Sequence, residues 1–246
     1  MSVLGGRFRT GGRQPGRSRL KIYWWDISCL LAECWLRFWY RFRMVGRERV
    51  PSSGPVLFLS NHQSYYDPMI NGSLVSERPF SPIASSHLFK FKPLAWLIRS
   101  YGAVPVSAGA GDKGAMKVAL AELAAGRSVL IYPEGTRCPD GHVAAFQRGV
   151  SLMLRRAEAT VVPMGIEGAF DVWPTGRTLP RLRGRIVGII GTPKSSKALL
   201  EGGVDQALQE LRAEIDELRL EARAMIEDRS RGRWPRSDAG AGPSPT

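Results

Sequence analysis

Strand-like and helix-like patterns alternate through the central part of this chain, and that alternation limits the fold more than any other feature. Short runs of apolar residues alternate with longer segments whose apolar residues recur at helical spacing. Such alternation is typical of layered α/β domains. We therefore predict a single layered α/β domain with a mixed, largely parallel sheet flanked by helices. The predicted strands are 56–60, 80–84, 103–106, 128–132, 160–166 and 185–191, and the predicted helices are 68–75, 91–101, 113–125 and 147–157.

Composition divides the rest of the chain around this domain. A Pro/Ser/Gly-rich boundary at 51–55 precedes the domain, and apolar residues at helical spacing over 204–228 predict an amphipathic helix that packs on the domain or meets a partner. The end of the chain is rich in Gly, Pro, Ser and Arg, which is typical of disorder. The predicted divisions are a basic flexible tail at 1–19, an amphipathic helical segment at 20–49, the α/β domain at 50–200, a C-terminal helix at 201–229 and a disordered tail at 230–246.

Residues 20–45 combine a high density of aromatic rings with arginine. Four of the seven tryptophans lie in this segment, and eleven of the 35 Lys and Arg residues lie in the first 50 residues of a chain whose net charge is +13. Amphipathic rings favour the headgroup level of a bilayer, and cations favour anionic lipids. We predict an interfacial helix on an anionic membrane surface, with a core helix of the domain as the alternative. No nucleic-acid-binding pattern appears, so nucleic acid is not expected as a partner.

Cysteine usage and hydropathy indicate where the protein works. Cys29, Cys34 and Cys138 are scattered without metal-binding or disulfide spacing, which argues for a reducing compartment. The start of the sequence lacks the apolar core of a signal peptide, and no stretch reaches the roughly 18 apolar residues of a spanning helix. We therefore expect peripheral or monotopic attachment to the cytoplasmic face of the cell membrane.

A histidine and an aspartate follow the first predicted strand, in the segment NHQSYYDP at 61–68. A separation of five residues would place His62 and Asp67 about 140° apart on a helix, so only a loop can bring them together. Taken singly, His62 is typical of a hydrogen-bonded loop histidine, and Asp67, which precedes Pro68, is typical of a helix N-cap. Together they predict a general base and the carboxylate that orients it.

A second polar segment, YPEGTR at 132–137, follows the strand predicted at 128–132. Ligands of open α/β sheets bind beyond the carboxyl ends of the strands, where this segment is expected to lie. Arg137 offers a planar fork of donors to a phosphate, and Gly135 allows a close approach of the backbone. On its own the segment also fits an ordinary turn with a surface arginine.

Taken in order, four segments resemble the sequence blocks of the lysophosphatidic acid and glycerol-3-phosphate acyltransferases. NHQSYYDP looks like the first, HxxxxD block of that family. The similarity covers about residues 50–195, the acyltransferase domain in this interpretation. The other three matching segments are FKFKPLAWLIRSYGAVPV at 89–106, YPEGTR at 132–137 with FQRGV at 146–150, and VVPMGIEG at 161–168.

The resemblance implies an enzyme of phospholipid biosynthesis. It would be a membrane-associated O-acyltransferase that moves a fatty acyl group from acyl-CoA or acyl carrier protein to a lysophospholipid hydroxyl. The acceptor implied most directly is 1-acyl-glycerol-3-phosphate, giving phosphatidate. The resemblance implies no metal, no cofactor besides the thioester co-substrate, and no covalent acyl-enzyme. It implies that His62 is the general base, that Asp67 orients it, and that the acceptor is bound by Glu134, Gly135, Thr136 and Arg137, with Arg137 on its phosphate.

The second block departs from the family pattern and leaves the acceptor open. Ser86 and His87 stand where the family usually has a Lys-Glu pair, and Ser107 and Ala108 stand where it has an acidic residue and an Arg. Loss of that Arg removes a cation from the expected phosphate site. Another lyso-lipid, such as an amino-acid lipid or a glycolipid, is therefore an alternative acceptor. A non-catalytic membrane-bound scaffold on the same fold is the alternative outside the enzyme class.

Overall fold

The computed structural model describes residues 14–106, 113–236, 238 and 240–244. Its helices are α1 Arg19–Tyr40, α2 Asp67–Leu74, α3 Lys92–Ser100, α4 Lys113–Ala124, α5 Arg148–Arg156, α6 Ala169–Val172, α7 Ser196–Leu199 and α8 Val204–Ser230. Its strands are β1 Arg43–Val45, β2 Val56–Ser60, β3 Phe80–Ser85, β4 Val104–Val106, β5 Ser128–Ile131, β6 Thr160–Glu167, β7 Val187–Ile190 and β8 Lys194–Ser195.

The strands form one sheet in the order β1-β7-β6-β2-β5-β3-β4, with β8 beside β6. The five strands from β6 to β4 are parallel to one another. Strands β7 and β8 run antiparallel to β6, and β1 runs parallel to β7. The predicted mixed, largely parallel sheet is therefore confirmed.

Strand β2 illustrates how helices cover both faces of the sheet. Its five residues are all buried. Leu57 and Leu59 pack with α4, α5 and α8 on one face, whereas Val56 and Phe58 pack with α1 and α2 on the other. A strand with two covered faces needs apolar side chains at successive positions, which is the pattern of this segment. The predicted flanking of the sheet by helices is confirmed.

Helix α8 packs along β6 and β7 on the domain itself. Leu211, Ile215 and Ala222 are fully buried in this contact. The approach of the helix is close, because a Cβ atom at Gly165 of β6 would lie 2.6 Å from the backbone nitrogen of Arg219. Glycine at this position therefore allows the helix to lie against the strand.

The described residues that follow α8 return to contact it. The buried guanidinium of Arg219 donates hydrogen bonds to the carbonyl oxygens of Gly240 and Gly242, and the Asp216 carboxylate accepts from the amide and hydroxyl of Ser244. For these residues the structure differs from the disorder predicted over 230–246. The physical reason is that a buried guanidinium and carboxylate require hydrogen-bond partners, and this segment supplies them.

Helix α1 buries one face and exposes the other. Trp25, Leu36 and Tyr40 lie in the core, and the Trp25 indole N–H donates to the carbonyl oxygen of Ser76 (2.9 Å). On the opposite face Leu31 is 65% exposed and Phe38 is 77% exposed. The core-helix interpretation therefore describes one face of α1 only. In the described part of the chain, no helix has both the length and the apolar character needed to cross a bilayer.

Candidate active site

Two loops meet at the carboxyl ends of β2 and β5. The strands are parallel, with Leu59 opposite Ile131, so the loops 61–66 and 132–137 leave the sheet side by side. The side chain of Asn61 ties the first loop to β6. Its amide nitrogen donates to the carbonyl oxygen of Ile166 (2.9 Å), and its amide oxygen accepts from the Ile166 amide (2.8 Å).

The buried carboxylate of Asp67 organises the first loop. One of its oxygens, Oδ2, accepts hydrogen bonds from His62 Nδ1 (2.7 Å), the Gln63 amide (2.6 Å) and the Ser64 amide (2.7 Å). Because a carboxylate only accepts, this contact places a proton on His62 Nδ1 and leaves Nε2 as the basic nitrogen. The alternative interpretation of Asp67 as a helix N-cap does not describe the structure, since α2 begins at Asp67 and its carboxylate accepts from the amides of the preceding loop.

A ring contact of the imidazole and a hydrogen bond of the backbone further fix the position of His62. Its ring stacks on Tyr132 with the centroids 3.9 Å apart and the planes 13° from parallel. The backbone carbonyl of His62 accepts a hydrogen bond from the Cys138 amide (2.8 Å). Burial, assisted by the nearby charge of Asp67, raises the pKa of Tyr132 well above its usual value, so the ring against the imidazole stays uncharged. The His62 side chain keeps 17% of its surface exposed, which allows a substrate to reach it.

Glu134 lies beneath the histidine and not at the surface where an acceptor would bind. Its side chain is buried, and its two carboxylate oxygens accept from the backbone amides of His62 (2.7 Å) and Ala144 (2.9 Å). This position differs from the substrate contact expected from the resemblance. The reason is that two inward-pointing amides, one from each neighbouring loop, take up the carboxylate. Burial raises the pKa of Glu134 to about 7, although both amide hydrogen bonds act in the opposite direction.

The rest of the YPEGTR segment reaches the surface. Gly135 has a φ of 76°, and its amide donates to the carbonyl oxygen of Tyr132 (3.0 Å), which closes a tight turn. Thr136 is exposed. The guanidinium carbon of Arg137 lies 3.7 Å from the ring centroid of Tyr65, and Arg137 forms no ion pair or hydrogen bond with any described residue. The structure thus places an unpaired cation on the loop beside that of His62.

The other residues singled out in the sequence follow β3, lie outside the described residues or, for Cys138, adjoin the site through the backbone. His87 is exposed in a short 3-10 turn after β3, and Ser86 is half-buried beside it. Ser107 and Ala108 lie outside the described residues. Burial raises the pKa of the Cys138 thiol to about 12, so that thiol stays protonated. Among the described residues, no group of three or more His, Cys, Asp or Glu side chains is placed to hold a metal ion.

Sequence reasoning missed the residues that build the site around the histidine. Asn61, Tyr65, Tyr132 and Trp173 received no role, although the first three lie inside the matched segments. The sequence contained one clue to these three residues, which is that each lies in a loop that follows the carboxyl end of a parallel strand. The fold and these contacts define the class of protein: an α/β domain with a histidine–carboxylate pair and an arginine at the carboxyl ends of its parallel strands.

Comparison with known families and structures agrees with that class. Residues 41–167 match the family model described as Acyltransferase, and they make up more than half of the chain. This protein belongs to the acyltransferase family. The crystal structure of the 1-acyl-sn-glycerophosphate acyltransferase PlsC from Thermotoga maritima has the same fold, with a TM-score of 0.68 over 89% of this chain and 86% of that chain at 24% identity.

Curated relatives include enzymes that differ in acceptor. The chloroplastic 1-acyl-sn-glycerol-3-phosphate acyltransferase LPAT1 of Arabidopsis thaliana is 30% identical over 153 residues, which are 61% of this chain and 42% of that protein. The lyso-ornithine lipid O-acyltransferase of Pseudomonas aeruginosa is 28% identical over 161 residues, 65% of this chain and 58% of that protein. This chain therefore matches less than two thirds of the length of either relative.

The raised pKa of Glu134 predicts a pH dependence of stability. The native carboxyl keeps a proton from about pH 4.5, its ordinary value, up to about pH 7, whereas the unfolded chain releases it. The contribution of Glu134 to the free energy of unfolding is therefore most favourable at low pH and declines as pH rises through this window. In Glu134→Gln, the loss of stability between pH 5 and pH 7.5 should be smaller than in the wild type by about 2 kcal/mol.

Urea unfolding at the two pH values measures this difference. Glu158→Gln, at an exposed glutamate, is the matched control and should keep the wild-type dependence. An unchanged dependence in Glu134→Gln would show that the buried carboxyl does not titrate in this window.

Proposed function

We propose that this protein is an O-acyltransferase that moves a fatty acyl group from a thioester donor to the hydroxyl of a lysophospholipid. The observation on which the proposal rests is that His62, with Nδ1 bonded to Asp67, lies on a loop that adjoins the loop of Arg137, whose guanidinium has no ion pair or hydrogen bond with a described residue. A base and an anion-binding group on adjoining loops suit an acceptor that has a hydroxyl near a phosphate. Acyl-CoA and acyl carrier protein both fit as donors.

The proposed reaction proceeds by direct attack. The acceptor hydroxyl gives its proton to His62 Nε2 while its oxygen bonds to the thioester carbonyl carbon. Asp67 stabilises the imidazolium that forms, because its carboxylate remains bonded to Nδ1. The tetrahedral intermediate then expels the thiolate, which takes the proton from His62 and leaves as the free thiol. The ester product forms and the base is regenerated, without a covalent acyl-enzyme.

The proposed acceptor is 1-acyl-glycerol-3-phosphate, which would give phosphatidate. Support comes from Arg137 and from relatives named 1-acyl-sn-glycerol-3-phosphate acyltransferases in Arabidopsis thaliana and Pseudomonas aeruginosa. A lyso-ornithine lipid is a second candidate, because the relative with that name aligns with 65% of this chain. An assay of acyl transfer to each of the two acceptors, from labelled acyl-CoA and from labelled acyl carrier protein, shows which acceptor the enzyme uses.

Substitution of the proposed base tests the mechanism. His62→Ala should lower kcat by about 10²–10⁴-fold, because a positioned base supplies that much acceleration. The assay follows release of the CoA thiol when lysophosphatidate is added. His87→Ala is the matched control, since His87 is exposed in the turn after β3, and it should turn over like the wild type. Undiminished turnover in a folded His62→Ala protein would rule out the mechanism.

We also propose that the protein docks on the cytoplasmic face of an anionic membrane through one surface, which we call the docking face. It comprises the exposed apolar residues Leu31 and Phe38 of α1 together with Trp96 of α3 and Phe91, which immediately precedes α3. A contact between the rings of Trp24 and Trp96, with centroids 6.1 Å apart, joins the two helices. Exposed aromatic and leucine side chains on adjoining helices suit insertion at the headgroup level. Such docking would bring a lipid acceptor to the site.

Charge on the docking face tests this proposal. The double variant Leu31→Glu, Phe38→Glu should partition about tenfold or more weakly onto phosphatidylglycerol-containing vesicles, because each glutamate replaces an inserted apolar side chain. Leu152→Glu is the control, since Leu152 is also exposed (36%) but lies on α5, which covers the face of the sheet opposite α1. Cosedimentation measures the bound fraction, and equal partition of all three proteins would contradict the proposal.

A further inference from the structure

Arg137 rests on an aromatic ring and has no acidic partner among the described residues. Its guanidinium carbon lies 3.7 Å from the ring centroid of Tyr65, and no described residue forms an ion pair with it. No described residue accepts a hydrogen bond from the N–H donors of this guanidinium, so they are available to a ligand. The ring therefore limits the motion of the cation without occupying its donors.

Tyr65 is itself held by Trp173. The Tyr65 amide donates to the carbonyl oxygen of Trp173 (3.4 Å), and the same carbonyl accepts from the hydroxyl of Ser64 (2.8 Å). The two rings lie 5.1 Å apart between centroids. The Trp173 indole N–H donates in turn to the carbonyl oxygen of Arg177 (2.9 Å). Tyr65 and Trp173 thus form a fixed aromatic support, although Tyr65 is 40% exposed.

The same loop holds the proposed base and this support. His62 and Tyr65 are three residues apart, and the Asp67 carboxylate fixes the two residues between them, Gln63 and Ser64, through their amides. The positions of the imidazole and of the ring that contacts the arginine therefore depend on one short loop. An acceptor hydroxyl that reaches Nε2 would have its anionic group placed by this geometry.

We infer that Tyr65, supported by Trp173, is a positioning residue that holds Arg137 for the anionic headgroup of the acceptor and so sets selectivity for a phosphate monoester. The inference rests on the proposed function and deepens it. Tyr65 acts through the arginine and takes no part in proton transfer. Its removal should weaken discrimination between charged and uncharged acceptors and leave the donor KM unchanged.

A double-mutant cycle tests the inference. The measured quantity is the ratio of kcat/KM for lysophosphatidate to kcat/KM for monoacylglycerol, in the wild type, Tyr65→Leu, Arg137→Met and the double variant. Tyr65→Leu should lower the ratio by about 5- to 30-fold, the range of a partly desolvated cation–π contact. Arg137→Met should lower it at least as much, and Tyr65→Leu should have no further effect in the Arg137→Met background.

Tyr65→Phe separates positioning from a general structural role. It keeps the aromatic face and removes the hydroxyl, so the ratio should stay within about twofold of the wild type. Three results would overturn the inference: an unchanged ratio in folded Tyr65→Leu, an equal effect of Tyr65→Leu with and without Arg137, or a Tyr65→Phe ratio as low as that of Tyr65→Leu.

A binding measurement distinguishes failure of the inference from failure of the proposed function. If the wild type acylates neither acceptor, the proposed function fails, and calorimetric titration of glycerol 3-phosphate into the same proteins decides the inference alone. Tyr65→Leu should weaken binding by about 5- to 30-fold, and only where Arg137 is present. The inference would be overturned if the wild type and Tyr65→Leu bound glycerol 3-phosphate with equal affinity, or if neither protein bound it.

Discussion

The site depends on a single buried carboxylate oxygen. Asp67 Oδ2 accepts from the imidazole of His62, the proposed base, and from the next two backbone amides, so orienting that imidazole and folding the loop are one interaction. The three donors satisfy this buried oxygen, which would be costly to leave without hydrogen bonds. This explains why the aspartate lies at the start of a helix without capping it. Removal of the carboxylate would disturb the base and the aromatic support of Arg137 together.

The register of the parallel strands brings the second loop to this carboxylate. With Leu59 opposite Ile131, the loops after β2 and β5 emerge together, and Glu134 joins them by accepting an amide from each side. Tyr132 then lies flat against the imidazole. In this chain two strand ends and the side chains of Asp67 and Glu134 thus hold His62 on a loop that adjoins the loop of Arg137. Because burial raises the pKa of Glu134 to about 7, its contribution to stability declines as pH rises toward neutrality.

Much of the fold was predictable from the sequence, because the central strands are short apolar runs, and such runs indicate strands that are buried on both faces. The His62–Asp67 contact was predictable from the two residue types in one loop and from the resemblance of that loop to the HxxxxD block, whereas the spacing showed only that a helix could not bring them together. Strand β1 was not, since its three residues pair with β7 more than a hundred positions later. The inward direction of Glu134 and the contact of Tyr65 with Arg137 depend on loop geometry, which no periodicity encodes. The contacts of Arg219 with Gly240 and Gly242 were hidden by a composition typical of disorder.

The most direct measurement of the central claim is the single-turnover rate of acyl transfer by Asp67→Asn. The amide keeps the size of the carboxylate but cannot accept from His62 and both amides as a charged group. The rate should fall by about 10²–10⁴-fold while the protein remains folded, because the imidazole loses its orienting and stabilising partner. A folded Asp67→Asn protein that transfers the acyl group within about threefold of the wild-type rate would contradict the proposed role of that carboxylate.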